Sequence, residues 1–422
     1  MFLATHAGRD FDEWPLKSWD FESLTLAAFY YHPSLDLARA QRGVTAAGIQ
    51  TAKGRPNPTA SVGPGYNFNA ANAVSPWIAN FTLDLPIETA GKRGQRTARA
   101  EYLSEAARLN IATAAWQVRA NLRTALIQET SAAQRHNLLE QQLEAQQAIA
   151  QVLEQRFLAG AISVAEVNVA RIAVVRLRAE LADSLRLLAE NLGRLAEAIG
   201  VPRKAIEGIE FNSPLPLATN APLASSVLRR QALQSRADVL SALAAYEASQ
   251  ATLRLEIARQ YPDIHLGNGY QWDQGENKWS VGLTFELPVL NRNQGPIREA
   301  EAKRKEAAAQ VLAVQAKIIG EIDHSSGTRS AIAEQLLQLR RLNDELRDQL
   351  SLLESRFAAG GADLLEVQTA KLELSIGALA ILDAEVKSMQ TAGQLEDALQ
   401  APLKAIAAAE QDRELPAKKV KE

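Results

Sequence analysis

Leu153-Glu-Gln-Arg-Phe-Leu-Ala-Gly160 returns, about 200 residues later, as Leu353-Glu-Ser-Arg-Phe-Ala-Ala-Gly360. The residues just downstream return too: Ser163, Glu166 and Val167 are matched by Asp363, Glu366 and Val367. Phe81-Thr-Leu-Asp-Leu-Pro86 is answered by Phe285-Glu-Leu-Pro288, and Arg55-Pro-Asn-Pro58 by Gln260-Tyr-Pro262. So long a period is not that of a solenoid; it marks a duplicated half. Each half reads as helix, strand, turn, strand, long helix, tight turn, helix. The reading divides the chain into a first repeat over 1–200, a connector over 201–224, a second repeat over 225–400 and an irregular tail over 401–422. The connector carries Pro202, Pro214, Pro216 and Pro222, and the tail ends in a solvated cluster of Lys418, Lys419 and Lys421.

The helices around that repeat are long. Between Gly94 and Gln155 there is neither Pro nor another Gly, which predicts a helix on the order of 90 Å at ~1.5 Å per residue. Pro296 to Arg356 behaves likewise, with Pro296 suited to a first turn and Gly320 and Gly327 as soft spots. Partner helices are expected over Ser163–Ala198 and Asp363–Leu399. Leu and Val recur at spacings of three and four among many Ala residues, the pattern of helices packed closely along their length. The tips are well specified. Gly160 and Gly360 end one helix, and Ser163-x-x-Glu166 and Asp363-x-x-Glu366 are capping boxes that start the next. Arg156 and Arg356, beside Phe157 and Phe357, fall in last turns, where the helix dipole favours a cation.

Four strands are expected, near 58–69, 77–86, 262–273 and 278–288. In the last three, apolar and polar residues alternate: Trp77, Phe81 and Leu83; Leu266, Tyr270 and Trp272; Trp279, Leu283 and Phe285 share the apolar faces. Strands of ~9–11 residues suit a tilted crossing of a bilayer, and aromatic residues cluster toward the strand ends as in an interfacial girdle. These nine residues are therefore expected to face lipid. A soluble sheet with one core face is the competing reading. Four strands cannot close a barrel, for which about eight is the practical minimum, and open edges are not tolerated in lipid. Bilayer strands would have to be pooled from several copies, and strand arithmetic alone permits two or three.

Composition narrows the function. The chain has 422 residues, a formal net charge of -3 and no Cys. The near-neutral balance argues against a nucleic-acid partner, and Cys-based catalysis, metal binding and disulfides are impossible. No apolar run is long enough for a transmembrane helix. His6, His32, His136, His265 and His324 are scattered, with no His-x-x-x-His or His-Glu-x-x-His spacing. Glu321, Asp323 and His324 are close in sequence but point different ways on a helix. Neither a catalytic triad, a P-loop nor a dinucleotide fingerprint is present. No enzyme activity, cofactor or resident metal is expected. Lys92, Arg93 and Arg96 are read either as a junction between strand and helix or as a solvated helix start.

The Arg-Phe-x-x-Gly tips, Pro-led strands and duplicated halves together resemble the TolC-like outer-membrane factors of tripartite efflux pumps, over roughly Leu24 to Leu399. Leu85-Pro-Ile-Glu-Thr-Ala-Gly-Lys-Arg93 and Leu287-Pro-Val-Leu-Asn-Arg-Asn-Gln-Gly295 make the likeness closest to the CzcC-like heavy-metal branch. The resemblance implies a mainly α fold with a small β part. It implies a homotrimer with a twelve-stranded transmembrane barrel and a long-helix α-barrel reaching into the periplasm. The connector and tail would form an equatorial belt. It also implies an outer-membrane site in a Gram-negative bacterium, with outer-membrane lipid around the barrel. A periplasmic adaptor (membrane fusion) protein would dock on the tips, at Arg156, Phe157, Gly160, Arg356, Phe357 and Gly360, and an inner-membrane RND transporter would supply the energy. Glu366, with Glu166 as its counterpart, would ring a constriction that favours cations; completing the capping boxes is the plain alternative. Some relatives carry a basic residue before this carboxylate as part of a lock, where this chain has Ala362. The expected role is a passive exit duct, for heavy-metal cations, with drug efflux, protein secretion or a soluble coiled-coil protein as alternatives. Met1 to Asp12 does not read as an export signal, so such a signal is expected to have been cleaved or lost from this chain.

Overall fold

The computed structural model describes residues 18–71, 74–212 and 225–403. The N-terminal stretch with His6, most of the connector with Pro214, Pro216 and Pro222, and nearly all of the tail lie outside the described residues. The two halves repeat element by element. In the first, β1 (Ser18–Trp19) leads to α1 (Phe21–Tyr31), α2 (Pro33–Lys53), β2 (Thr59–Tyr66), β3 (Trp77–Ile87), α3 (Lys92–Leu158) and α4 (Val164–Ile199). In the second, β4 (Glu210–Phe211) leads to α5 (Ser225–Ser235), α6 (Ala237–Ala258), β5 (Ile264–Asp273), β6 (Glu276–Phe285), α7 (Gln294–Ala358) and α8 (Leu364–Leu399). The fold is thus mainly helical with a small antiparallel sheet and an internal duplication. Both long helices form without a break, α7 passing straight through Gly320 and Gly327.

The chain forms two compact units, and both halves contribute to each. One comprises 1–36, 113–236 and 317–422. Its core packs Phe21, Leu24 and Ala28 of α1 against Val118, Leu122 and Leu126 of α3 and Leu195 and Ile199 of α4. Asp20 caps α1 by accepting from the Ser23 N–H at 2.9 Å. Gly200 ends α4 at φ +87, where a Cβ would come within 2.8 Å of the His32 Cα, so both the backbone conformation and the close approach require glycine. A charged cluster is buried in the same unit. Arg123, 2% exposed, donates to Glu396 at 3.0 Å and to the Gly393 carbonyl at 2.8 Å, and pairs with Asp397. Arg119 shares Glu396 at 3.0 Å and lies over the rings of Phe21 and Trp116. Burial pushes the Asp397 carboxyl above its ordinary range although Arg123 opposes the shift.

The other unit comprises 37–112 and 237–316. Its sheet has the order β2-β3-β5-β6, antiparallel throughout. Gln274 and Gly275, at φ 55 and 93, form a two-residue turn in which both central residues are left-handed. The strand bounds shift from those expected for this reason. The tight turn pairs Asp273 with Glu276, so β6 starts at Glu276 rather than near 278, and it ends at Phe285 because its partner β5 begins at Ile264. The first strand stops at Tyr66 because, at the next position in register, the Asn67 N–H still reaches the Pro76 carbonyl at 2.7 Å but proline has no N–H to return.

Candidate functional site

The sheet brings the alternating residues of all four strands into one register. Val62, Phe81, Tyr270 and Trp279 form one cross-strand row, and Ala60, Leu83, Asn268 and Val281 the next. Leu85, Leu266 and Leu283 come after them, then Ile87, Ile264 and Phe285. Residues directly opposite each other share a face, so the expected apolar residues join into one surface. Among the described residues nothing covers it: Trp279 is 80% exposed and Val281 76%. Leu266, Tyr270 and Trp272, on the inner strand β5, are only partly exposed between their neighbours. The opposite face carries Thr82, Asp84, His265, Gln271, Lys278 and Thr284. On it His265 Nδ1 lies 2.8 Å from Asp84, a polar pair across neighbouring strands. Among the described residues, nothing pairs with the outer edges of β2 and β6.

Below the sheet, the linker from β3 to α3 is fastened to the start of β5. The Thr89 N–H donates to Asp263 Oδ1 at 2.9 Å and its hydroxyl to the Pro262 carbonyl at 2.6 Å, while Lys92 Nζ reaches Asp263 at 2.8 Å. Burial alone would raise the Asp263 pKa, but Lys92 and the Thr89 N–H hold it below its ordinary value. Arg96 pairs with Glu88 at 2.5 Å and donates to the carbonyls of Ala52 and Gly54 at the end of α2. Lys92 and Arg96 are therefore junction residues, whereas Arg93 is exposed. The Asp263 partner was missed from sequence because it stands 171 positions from Lys92.

The hairpin tips are nearly identical in geometry. Gly160 and Gly360 both adopt φ +74, their N–H groups bonding the Phe157 and Phe357 carbonyls. The next residues, Ala161 and Gly361, donate to the carbonyls of Arg156 and Arg356, each at 2.8 Å. This is the Schellman closure expected of a left-handed glycine. Both capping boxes form, with Glu166 accepting from the Ser163 N–H at 3.1 Å and Glu366 from the Asp363 N–H at 3.3 Å. The Ser163 N–H and hydroxyl hold the Glu166 pKa down. An ion pair joins the tips: Arg156 pairs with Asp363. No basic residue stands at Ala362, but the first tip supplies a cation to the second. Phe157, 38% exposed, and Phe357, 44%, are presented at the tips.

Glu321 and Asp323 bond to Arg236 and Arg229 respectively. Among the described residues, no group of three or more His, Asp or Glu side chains is placed to hold a metal ion. No described helix is long and apolar enough to cross a membrane, a finding that leaves the strands untouched.

Paired long hairpins together with a four-stranded antiparallel sheet are the fold of the TolC-like channels. VceC from Vibrio cholerae superposes with a TM-score of 0.74 at 20% identity, over 90% of this chain and 96% of that one. The outer-membrane channel OprN gives 0.74 at 18%, over 90% and 89%, and CusC 0.71 at 18%, over 93% and 95%. Residues 28–201 and 228–401 each match the family model described as "Outer membrane efflux protein", and the chain belongs to that family. It is 26% identical to the cobalt-zinc-cadmium resistance protein CzcC of Cupriavidus metallidurans, over 66% of this chain and 65% of that protein. It is 24% identical to the probable outer membrane lipoprotein SilC of Salmonella typhimurium, over 55% and 52%. The chain thus spans between about half and two thirds of the length of these curated relatives.

Proposed function

We propose that this protein is an outer-membrane exit duct, built from three copies, in a tripartite RND-type efflux system of a Gram-negative bacterium. The observation that carries the reading is the sheet. Over the cross-strand rows described above its face is apolar apart from Asn268 and reaches all four strands, and among the described residues nothing covers it or pairs with its two outer edges. A soluble sheet would cover that face with its own chain, whereas lipid covers it in a bilayer. Because the order is antiparallel with an even number of strands, β6 of one copy meets β2 of the next antiparallel, so a ring closes without a parallel pair. Three copies pool twelve strands, above the closure minimum of about eight.

The helical hairpins form the periplasmic duct, with Arg156, Phe157, Gly160, Arg356, Phe357 and Gly360 as the docking points for an adaptor. Glu366 and Glu166 ring the constriction and favour cations. The likeness to CzcC supports heavy-metal cations as the cargo; a drug or protein cargo is the alternative. The duct is passive: it performs no catalysis and needs no cofactor.

The deciding test is the detergent-corrected mass of protein extracted from outer membranes. Three times 45.9 kDa is expected, and a particle that stays soluble and monomeric without detergent overturns the reading. Cargo is tested by deletion, with lowered tolerance to zinc, cobalt, cadmium or copper expected and unchanged tolerance to all four excluding metals. For the constriction, Glu366→Gln lowers cation preference in planar bilayers, and an unmoved reversal potential removes that role.

A further inference from the structure

In the sheet the two halves meet at one junction, and the duplication implies a second. Within the chain β3 pairs with β5, and the linker after β3 fastens onto the start of β5 through Thr89, Lys92 and Asp263. The edges equivalent to β3 and β5 are those of β6 and β2, which have no strand partner among the described residues. The pairings fix the equivalence. Ala60 stands opposite Leu83 and Ile264 opposite Phe285, and Pro86 then coincides with Pro288. By the same offsets Thr89 corresponds to Asn291, Lys92 to Gln294 and Asp263 to Thr59.

We propose that this second junction is the seam between neighbouring copies of this chain. In it β6 of one copy pairs with β2 of the next, Leu287 standing opposite Val62, and the Asn291–Gln294 linker fastens onto Thr59 and the Pro58 carbonyl. The proposal rests on the channel reading and specifies its interface. Three observations carry it. The register transferred from β3 and β5 keeps the faces matched: Phe285 meets Pro64 and Leu287 meets Val62, so the apolar surface continues from copy to copy. A shift of one residue would set it against the polar face. The linker residues are bare where their counterparts are covered. Lys92 is 7% exposed and Thr89 and Asp263 are half-buried, whereas Gln294, Asn291 and Thr59 are all exposed. Finally, the chemistry changes on both sides together. Lys92 facing Asp263 becomes Gln294 facing Thr59, a neutral pair in place of a charged one. A change on one side alone would strand a charge at a closed junction. The charged seam selects the in-chain partner and the neutral seam the next copy, because crossing them leaves Lys92 or Asp263 unpaired.

The chain has no native Cys, so Val62→Cys with Leu287→Cys is a clean probe. Val62 stands on β2 and Leu287 two residues beyond the end of β6, separated by at least about 14 Å across the sheet and by roughly 26 Å along it, so they cannot link within one copy. Residues directly opposite across two strands have Cβ atoms within about 5.5 Å. Oxidation in outer membranes is expected to give a thiol-reversible ladder of two and three chains, weaker by about tenfold for Val62→Cys with Phe285→Cys. A three-chain particle without the ladder overturns the seam while leaving the channel reading intact. Absence of any oligomer from the unsubstituted protein overturns both. As a second measurement, Thr59→Asp with Gln294→Lys rebuilds the charged pair. It is expected to raise the temperature at which the oligomer dissociates above that of either single variant, in a salt-sensitive way. A double variant no better than the singles counts against the contact.

Discussion

Gly393 lies against the side chain of Arg123, and a Cβ there would collide with the guanidinium. Since that group bonds Glu396, Asp397 and the Gly393 carbonyl at once, Gly393→Ala displaces a buried charge from its partners. A loss of about 3 kcal/mol is expected, between the cost of overpacking and that of breaking a buried pair. Denaturation of the detergent-solubilised protein measures it, with Gly48→Ala as the control: it lies within α2, a Cβ there meets nothing within 4 Å, and the change is expected to stabilise by about 0.5–1 kcal/mol. Asp263 gives a pH signature. Its folded pKa lies below the ordinary 3.8, so its contribution is fully present above that value and is lost as pH falls through the folded pKa. The gap in Tm between wild type and Asp263→Asn is expected to be widest at pH 7 and to close below about pH 4; a constant gap would refute the charge origin. The tip residues were legible in the sequence because capping is written within a few positions, as in Asp363 and Glu366. Lys92 was not, because its meaning depends on a carboxylate from the other half.

At the scale of the strand, the alternation was legible and the ends were not. Trp279, Val281, Leu283 and Phe285 announce a face by their period of two. The start of β6 depends instead on the left-handed pair Gln274–Gly275, which tightens the turn beyond what its polar composition suggests. The face makes a prediction of its own. Val281 is 76% exposed in the chain, so Val281→Arg would cost little if that face met water. Facing lipid near mid-strand, it costs roughly 2–4 kcal/mol and depletes the protein from the outer membrane. Thr284→Arg, on the opposite face, is expected to insert normally. Immunoblotting of membrane fractions compares the two, and equal levels would sink the lipid assignment.

For the molecule as a whole, the duplication was the most legible feature, because two copies of one pattern check each other. What the repeat did not disclose was that each compact unit draws on both halves. The central pairing of the sheet, β3 with β5, lies between the halves. A half exported alone would hold one two-stranded hairpin, which is marginal by itself. Neither half is expected to reach the membrane singly, and the two exported together are expected to restore the detergent-extracted particle, as size-exclusion of the extract would report. Insertion by one half alone would contradict this.

The Thr89–Asp263 bond closes a loop of 174 residues, and that separation imposes an order of events. The hairpins β2–β3 and β5–β6 are local and close early, whereas their joining waits for the long intervening helices to be made and exported. High contact order slows folding. On the outer-membrane reading proposed above, the chain would cross the periplasm with its greasy strands still in separate pairs, and the wait for the second hairpin would be the stage at which those strands are open to mispairing.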